Sequence, residues 1–150
     1  MKLDSVDQIL DYAIQKEQEA ADFYSDLAAN MEHANMKHVF LNFSAEEQGH
    51  KAKLLAVKEG KKMMPSMEKV QDLGIGDHLV DIALTPGLDY QDALIVAMKA
   101  EKAAFKLYSD LAEATEDDNL RTVFLGLAQE EAKHKLRFEI EYDDRMLNDN

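Results

Sequence analysis

Glu46-Glu47-Gln48-Gly49-His50 is the stretch that decides the fold, because it places a carboxylate and an imidazole three residues apart within an apolar pattern. On a helix, residues three and four apart share one face, so Glu47 and His50 point in the same direction. Alternating spacings of four and three are typical of a helix packed in a bundle. The full pattern is Met36, Phe40, Phe43, Glu47, His50, Leu54 and Val57. Two ionisable groups therefore occupy positions that an inward helix face normally gives to apolar side chains.

The same pattern recurs 84 positions further along the chain, without a gap. About 18 of the 46 positions in 9–54 are identical to their counterparts in 93–138. Glu131 and His134 stand where the first copy has Glu47 and His50. Such a high identity at matched positions indicates an internal duplication.

A second apolar pattern precedes each of these segments, and each has one glutamate at mid-length. The two patterns read Val6, Leu10, Ala13, Glu17, Ala20, Tyr24, Leu27 and Tyr90, Leu94, Ala97, Glu101, Ala104, Tyr108, Leu111. Tyr24 and Tyr108 lie two turns beyond Glu17 and Glu101. The sequence thus predicts four amphipathic helices, each with ionisable residues on its inner face.

The composition favours one all-α domain over residues 1–150. The chain is rich in helix-forming residues, has two prolines, and is long enough to bury a single core. The net charge of −13 argues against nucleic acid and anionic membrane surfaces as partners and favours cations. The absence of cysteine excludes disulfides and cysteine-ligated metal sites. Because no apolar run resembles a signal peptide or a membrane span, we expect a cytoplasmic protein.

The helix boundaries follow from capping residues and from the loss of periodicity. We expect helices from near Ser5 to near Asn30, from about Asn35 to Glu59, from Asp89 onwards, and from about Asn119 to Tyr142, with a frayed tail from Asp143. Residues 61–88 contain both prolines and are expected to be a long connection, with 78–84 extended. A short first link and a long second one predict a four-helix bundle with a single crossover between its second and third helices.

Such a bundle brings the inner ionisable residues to one level of the core. They are Glu17, Glu47, His50, Glu101, Glu131 and His134. Four buried carboxylates cannot all remain charged without compensation, because even one unpaired buried charge costs several kcal/mol. Two divalent cations would balance four carboxylates. We therefore expect a dinuclear metal site.

The ligand types narrow the choice of metal and chemistry. One glutamate from each of two helices plus Glu-x-x-His from each of the other two is the ligand set of ferritin-like di-iron and di-manganese carboxylate proteins. Carboxylates and one imidazole per metal suit Fe(II) or Mn(II). We expect two iron ions, with manganese or zinc as other possible occupants, and O2 or H2O2 as the molecules that react there.

The chain also resembles the ferritin-like domain of the rubrerythrin family over essentially its whole length. Residues 13–24 are similar to that family's first-helix motif, 97–108 to its third, and the two Glu-x-x-His segments to its second and fourth. The resemblance implies that Glu47 and Glu131 bridge the irons, that Glu17 and Glu101 are terminal ligands, and that His50 and His134 complete one iron each. It also implies that Tyr24 and Tyr108 line the site.

Two departures from the rubrerythrin pattern bear on function. Rubrerythrins that reduce peroxide typically carry a further glutamate three residues after the third-helix ligand, where this chain has Ala104, and the mirrored position is Ala20. A rubredoxin domain is also missing, so a separate electron donor such as a rubredoxin-like protein is expected. As a separate expectation, the protein forms a homodimer. The symmetric ligand set instead resembles the ferroxidase centre of bacterioferritin.

Two function classes stay open on the sequence. One is an oxidoreductase, a di-iron oxidase or peroxidase that consumes O2 or H2O2. The other is a ferroxidase-type iron-binding or iron-delivery protein whose site only oxidises iron and passes it on, or holds manganese or zinc structurally. Glu46 and Glu130 lie one step off the inner face, where they are either solvated or orient a ligand, with Lys51 and Lys135 as candidate partners.

Overall fold

The computed structural model describes residues 6–60 and 88–148, which form four α-helices. The helices are α1 (Val6–Ala29), α2 (Ala34–Lys58), α3 (Tyr90–Ala114) and α4 (Asp118–Asn148). The all-α four-helix bundle predicted from the sequence is confirmed. The expected cap at Ser5, the long connection and the extended stretch at 78–84 lie outside the described residues.

The helix ends within the described residues follow capping chemistry. Asp89 precedes α3, and its carboxylate accepts the Asp92 N–H at 2.8 Å. The carboxylate of Asp117 likewise accepts the Leu120 N–H at 2.9 Å at the start of α4. Gly60 follows α2 with a φ of +89°, a left-handed conformation that glycine adopts without a Cβ clash. These ends lie within one residue of the predicted ones.

The predicted end of α4 at Tyr142 was wrong, because the helix continues to Asn148. Contacts with α3 hold the extra turn. The Tyr90 hydroxyl donates to Glu141 at 3.0 Å, and the Arg145 guanidinium lies 4.9 Å from the centre of the Tyr90 ring. Arg145 also pairs with Glu141 one turn earlier on α4, at 3.5 Å. Because the two Tyr90 contacts join residues far apart in sequence, the local pattern did not reveal them.

Side-chain contacts set the direction of each helix. Within each half of the chain, a contact that lies later on one helix lies earlier on the other, so both pairs are antiparallel. The contacts are Lys51 with Gln18 and Ser44 with Ala21 between α1 and α2, and Arg121 with Ala112 and Glu141 with Tyr90 between α3 and α4.

Contacts between the halves complete the topology. Tyr24 of α1 reaches Glu101 of α3, and Tyr108 of α3 reaches Glu17 of α1, so α1 and α3 are antiparallel. Since α2 is also antiparallel to α1, α2 and α3 run parallel. That arrangement is the one a single crossover between the second and third helices requires.

The core consists of two apolar clusters with a polar layer between them. One cluster contains Phe40, Phe43 and Phe138 together with the start of α3, and the Phe43 and Phe138 rings stack at 4.1 Å. The other contains Leu10, Leu54, Tyr108, Leu120 and Phe124. Burying each large apolar side chain contributes roughly 1.5–3 kcal/mol. The two clusters enclose the polar layer from both ends of the bundle.

The outward faces of the helices are largely polar, although some apolar side chains such as Leu41, Leu55 and Ile140 are exposed. Ion pairs one turn apart, such as Lys106 with Asp110 at 2.7 Å and Lys16 with Glu19 at 3.2 Å, lie on these faces. Among the described helices, none is both long enough and apolar enough to cross a bilayer.

Candidate metal centre

All six residues predicted as metal ligands meet in the polar layer between the two apolar clusters. Each side chain is buried, with a relative exposure of 4 % or less, and every helix contributes at least one. The six are Glu17 from α1, Glu47 and His50 from α2, Glu101 from α3, and Glu131 and His134 from α4. The sequence repeat therefore becomes a spatial cluster.

The cluster divides into two overlapping groups, each of which could hold one metal ion. The first contains Glu17 and His50, and the second contains Glu101 and His134. Glu47 and Glu131 belong to both groups. Within each group, one ligand atom per residue lies within 4.8 Å of all the others. Glu47 and Glu131 therefore lie where a carboxylate that bridges two metals would lie.

The two groups are related by the approximate two-fold symmetry of the repeat. His50 Nδ1 lies 3.1 Å from Glu131 Oε1, and His134 Nδ1 lies 2.9 Å from Glu47 Oε1. The distances from the same nitrogens to Glu17 and Glu101 are 3.6 and 3.4 Å. Each imidazole thus faces the shared carboxylate of the opposite repeat, with its ring parallel to the other imidazole at 5.6 Å.

Several buried atoms in the cluster lack a hydrogen-bond partner among the described residues. They are Oε2 of Glu17, both carboxylate oxygens of Glu47, Nδ1 of His50, Oε2 of Glu101 and Oε1 of Glu131. Leaving a buried polar atom unsatisfied costs about 1–3 kcal/mol, and more when it is charged. Because these atoms are all metal-ligating types and converge on one another, the donor set fits a pair of metal ions.

Without metal, the cluster would retain protons. Burial, assisted by the nearby Glu101 and Glu17 carboxylates, raises the pKa of Glu47 to about 9. Burial and the same neighbouring charges raise the pKa of Glu131 well above its ordinary value. Burial opposes protonation of His134, but the Glu101, Glu46 and Glu47 carboxylates around it raise its pKa to about 12. Divalent cations binding here would take the place of these protons.

A family model described as a ferritin-like domain matches residues 5–139. The chain belongs to the ferritin-like family. A solved structure of a hypothetical protein from Pyrococcus furiosus is similar to this ferritin-like chain, with a TM-score of 0.62 and 24% sequence identity. That match covers 93% of this chain and 89% of the Pyrococcus chain, and at this identity it supports the fold alone. No curated protein matches the chain.

Two buried tyrosines hold in place the two carboxylates that belong to only one group each, Glu101 and Glu17. The Tyr24 hydroxyl donates to Glu101, and the Tyr108 hydroxyl donates to Glu17. Burial and the carboxylate that each tyrosine faces raise both tyrosine pKa values well above the ordinary value, so the hydroxyls remain donors. The resemblance noted in the sequence placed both tyrosines beside the site. The structure adds that each bond crosses to the helix of the other repeat.

Glu46 orients one of the histidines from outside the cluster. Its Oε2 lies 3.3 Å from His134 Nε2, on the side of the ring opposite to Nδ1. Arg137 donates to both Glu46 oxygens at 2.9 and 3.1 Å and lies 4.4 Å from the centre of the Phe43 ring. The hydrogen bond with His134, partly opposed by burial and reinforced by Arg137, lowers the pKa of Glu46 to about 2. A charged acceptor at Nε2 fixes the Nε2–H tautomer and leaves Nδ1 for a metal.

The second repeat uses its corresponding glutamate differently. Glu130 pairs with Lys133 at 3.6 Å, whereas the sequence had suggested Lys135 for Glu130 and Lys51 for Glu46. Lys51 donates to Gln18 instead, at 2.7 Å. Sequence reasoning missed Arg137 as the residue that holds Glu46. Its position three residues after His134, one turn along the same helix, was the available signal.

Proposed function

We propose that this ferritin-like protein is a di-iron carboxylate redox protein, similar to the rubrerythrin family, that reacts with O2 or H2O2. The observation that carries the proposal is the pair of four-residue groups that share Glu47 and Glu131. Each group combines three carboxylates with one imidazole, a donor set that suits iron and also accepts manganese or zinc. When bound, two irons would supply the electrons that reduce O2 or H2O2.

The protein's own residues would organise the site for this chemistry. The apolar clusters cover the polar layer at both ends of the bundle. Tyr24 and Tyr108 hold protons beside the terminal carboxylates Glu101 and Glu17, and we assign them this role in the reaction. Glu46 keeps His134 in the orientation that points Nδ1 toward the carboxylates. These contacts support a site whose geometry is set before the metals bind.

A ferroxidase-type iron-binding or iron-delivery protein is the alternative. It is favoured by Ala104 and Ala20, which stand where the peroxide-reducing rubrerythrin pattern would add a carboxylate on the third helix and its mirror. The six side chains then form a symmetric set of four carboxylates and two imidazoles.

Under the main proposal, electrons would come from a separate rubredoxin-like donor, and we propose a homodimer as the assembly.

Anaerobic loading with Fe(II), followed by stopped-flow mixing with O2 or H2O2, tests both functions. Repeated turnover with a supplied reductant would support the redox enzyme. A single oxidation followed by release of Fe(III) would support iron handling. The double variant Glu47→Ala with Glu131→Ala should bind no iron, while Glu113→Ala with Glu116→Ala, at exposed positions, should bind two irons per chain. Failure of the unchanged protein to bind iron would contradict both functions.

A further inference from the structure

A cavity of about 380 Å³ lies between α1 and α3, directly beside the metal-ligand cluster. Tyr24, Glu101 and Glu131 are among the residues that line it. Phe23 and Leu107 contribute apolar wall surface. The cavity therefore connects the outer face of the bundle with one terminal carboxylate and one shared carboxylate of the site.

Two alanines related by the repeat make room for this cavity. Ala20 and Ala104 both line it, and each lies three residues after a terminal glutamate, on the same helix face. Because each side chain is a single methyl group, the space between the helices stays open. A longer side chain at either position would extend into that space.

The volume is much larger than a small oxidant needs. A water molecule occupies about 30 Å³ in the liquid, and a closed apolar cavity of about 150 Å³ is sufficient for benzene. O2 and H2O2 are each close to water in size. A cavity of 380 Å³ matches instead an organic molecule with one ring or two fused rings.

The charges at the cavity favour an uncharged occupant. Lys16 and Glu19, which both line it, pair with each other at 3.2 Å, and the Lys16 ammonium lies 5.4 Å from the centre of the Tyr12 ring. The cation is thereby engaged rather than offered to an anion.

We propose that this cavity binds a small, uncharged, ring-containing organic molecule beside the metal pair. The proposal rests on the proposed function in one respect, since it makes the occupant a neighbour of the di-iron site. Binding itself requires only the cavity, whose apolar walls supply the affinity. Ala20 and Ala104, which stand where the peroxide-reducing rubrerythrin pattern would place a carboxylate, create the binding space.

Indole is the probe for the test, and protein loaded with zinc is the sample, because zinc fills the metal site without redox chemistry. Alanine methyl groups are labelled with ¹³C, and indole is titrated by NMR. We expect saturable 1:1 binding with the largest shifts at Ala20 and Ala104. Indole-3-acetate, its anionic analogue, should bind about tenfold more weakly or worse, which corresponds to about 1.4 kcal/mol.

Ala104→Phe should abolish indole binding by filling the cavity, whereas Ala52→Phe, at an exposed position of α2, should leave it unchanged. If Ala104→Phe does not fold, Ala20→Leu provides the same test with a smaller side chain. The inference is overturned if no saturable shift occurs, if both filling variants bind indole normally, or if the anionic analogue binds equally well. Metal content and the reaction of iron-loaded protein with H2O2 are measured separately, so failure of the proposed function would be recognised independently of indole binding.

Discussion

Raising the pH from 6 to 8 should destabilise the metal-free protein. Burial and the neighbouring carboxylates hold the pKa of Glu47 at about 9, whereas its ordinary value is 4.5. Throughout this range the folded state therefore binds a proton that the unfolded state has already lost. A folded state that binds more protons loses stability as the pH rises.

The expected loss is about 1.4 kcal/mol per pH unit for each such proton, or about 2.7 kcal/mol over two units. Glu131 changes stability in the same direction, because its pKa is also raised. His134, with a pKa of about 12 against an ordinary 6.5, adds a loss of the same sign above pH 6.5. Because these groups interact, their protons are not independent, and the effect of one proton is the figure to test.

Urea unfolding of chelator-treated protein, followed by circular dichroism at several pH values, measures this effect. With an m value of about 2 kcal/mol/M, the midpoint should fall by about 1.3 M between pH 6 and pH 8. Glu47→Gln should remove one proton from the slope, and Glu113→Gln, on an exposed face, should leave the slope unchanged. Metal-free stability that is constant or rises over this range would refute the view that the cluster is buried and protonated.

Three further predictions concern the metals themselves. Metal at a hundredfold excess over Kd should stabilise the protein by about 2.7 kcal/mol, seen as a higher Tm in calorimetry, and a Tm indifferent to metal and chelator would count against the site. Glu46→Gln should weaken one of the two metal-binding steps about 10- to 100-fold in titration calorimetry, because Glu46 orients His134. Glu130→Gln should have a smaller effect. Equal effects would contradict the view that only His134 is oriented in this way. Ala104→Glu should add a carboxylate beside Glu101 and raise peroxide turnover when a rubredoxin-like donor is supplied. Crystal structures of the unmodified protein in both redox states would reveal whether a histidine leaves its iron.

The buried cluster of carboxylates and histidines could be predicted from the sequence because the pattern that encodes it is local and repeated. Glu47 and His50 sit three residues apart on an apolar helix face, and Glu131 and His134 repeat that spacing 84 positions later. Helical periodicity turns such spacing into a shared face, whatever the helix packs against. The duplication then places equivalent residues at the same level of the bundle, which is why all six predicted ligands are found together.

Only the tertiary structure decided the features that depend on how neighbouring helices are rotated and spaced. Glu46 contacts His134, each tyrosine donates to a carboxylate of the opposite repeat, and Tyr90 contacts Glu141 near the end of α4. All of these contacts join residues that are distant in sequence. The cavity beside Ala20 and Ala104 is set by the separation of α1 and α3, which no local pattern encodes. Periodicity determines which face of a helix is buried, but the partner that each side chain meets depends on packing of the whole core, where every side chain must fit its neighbours at once.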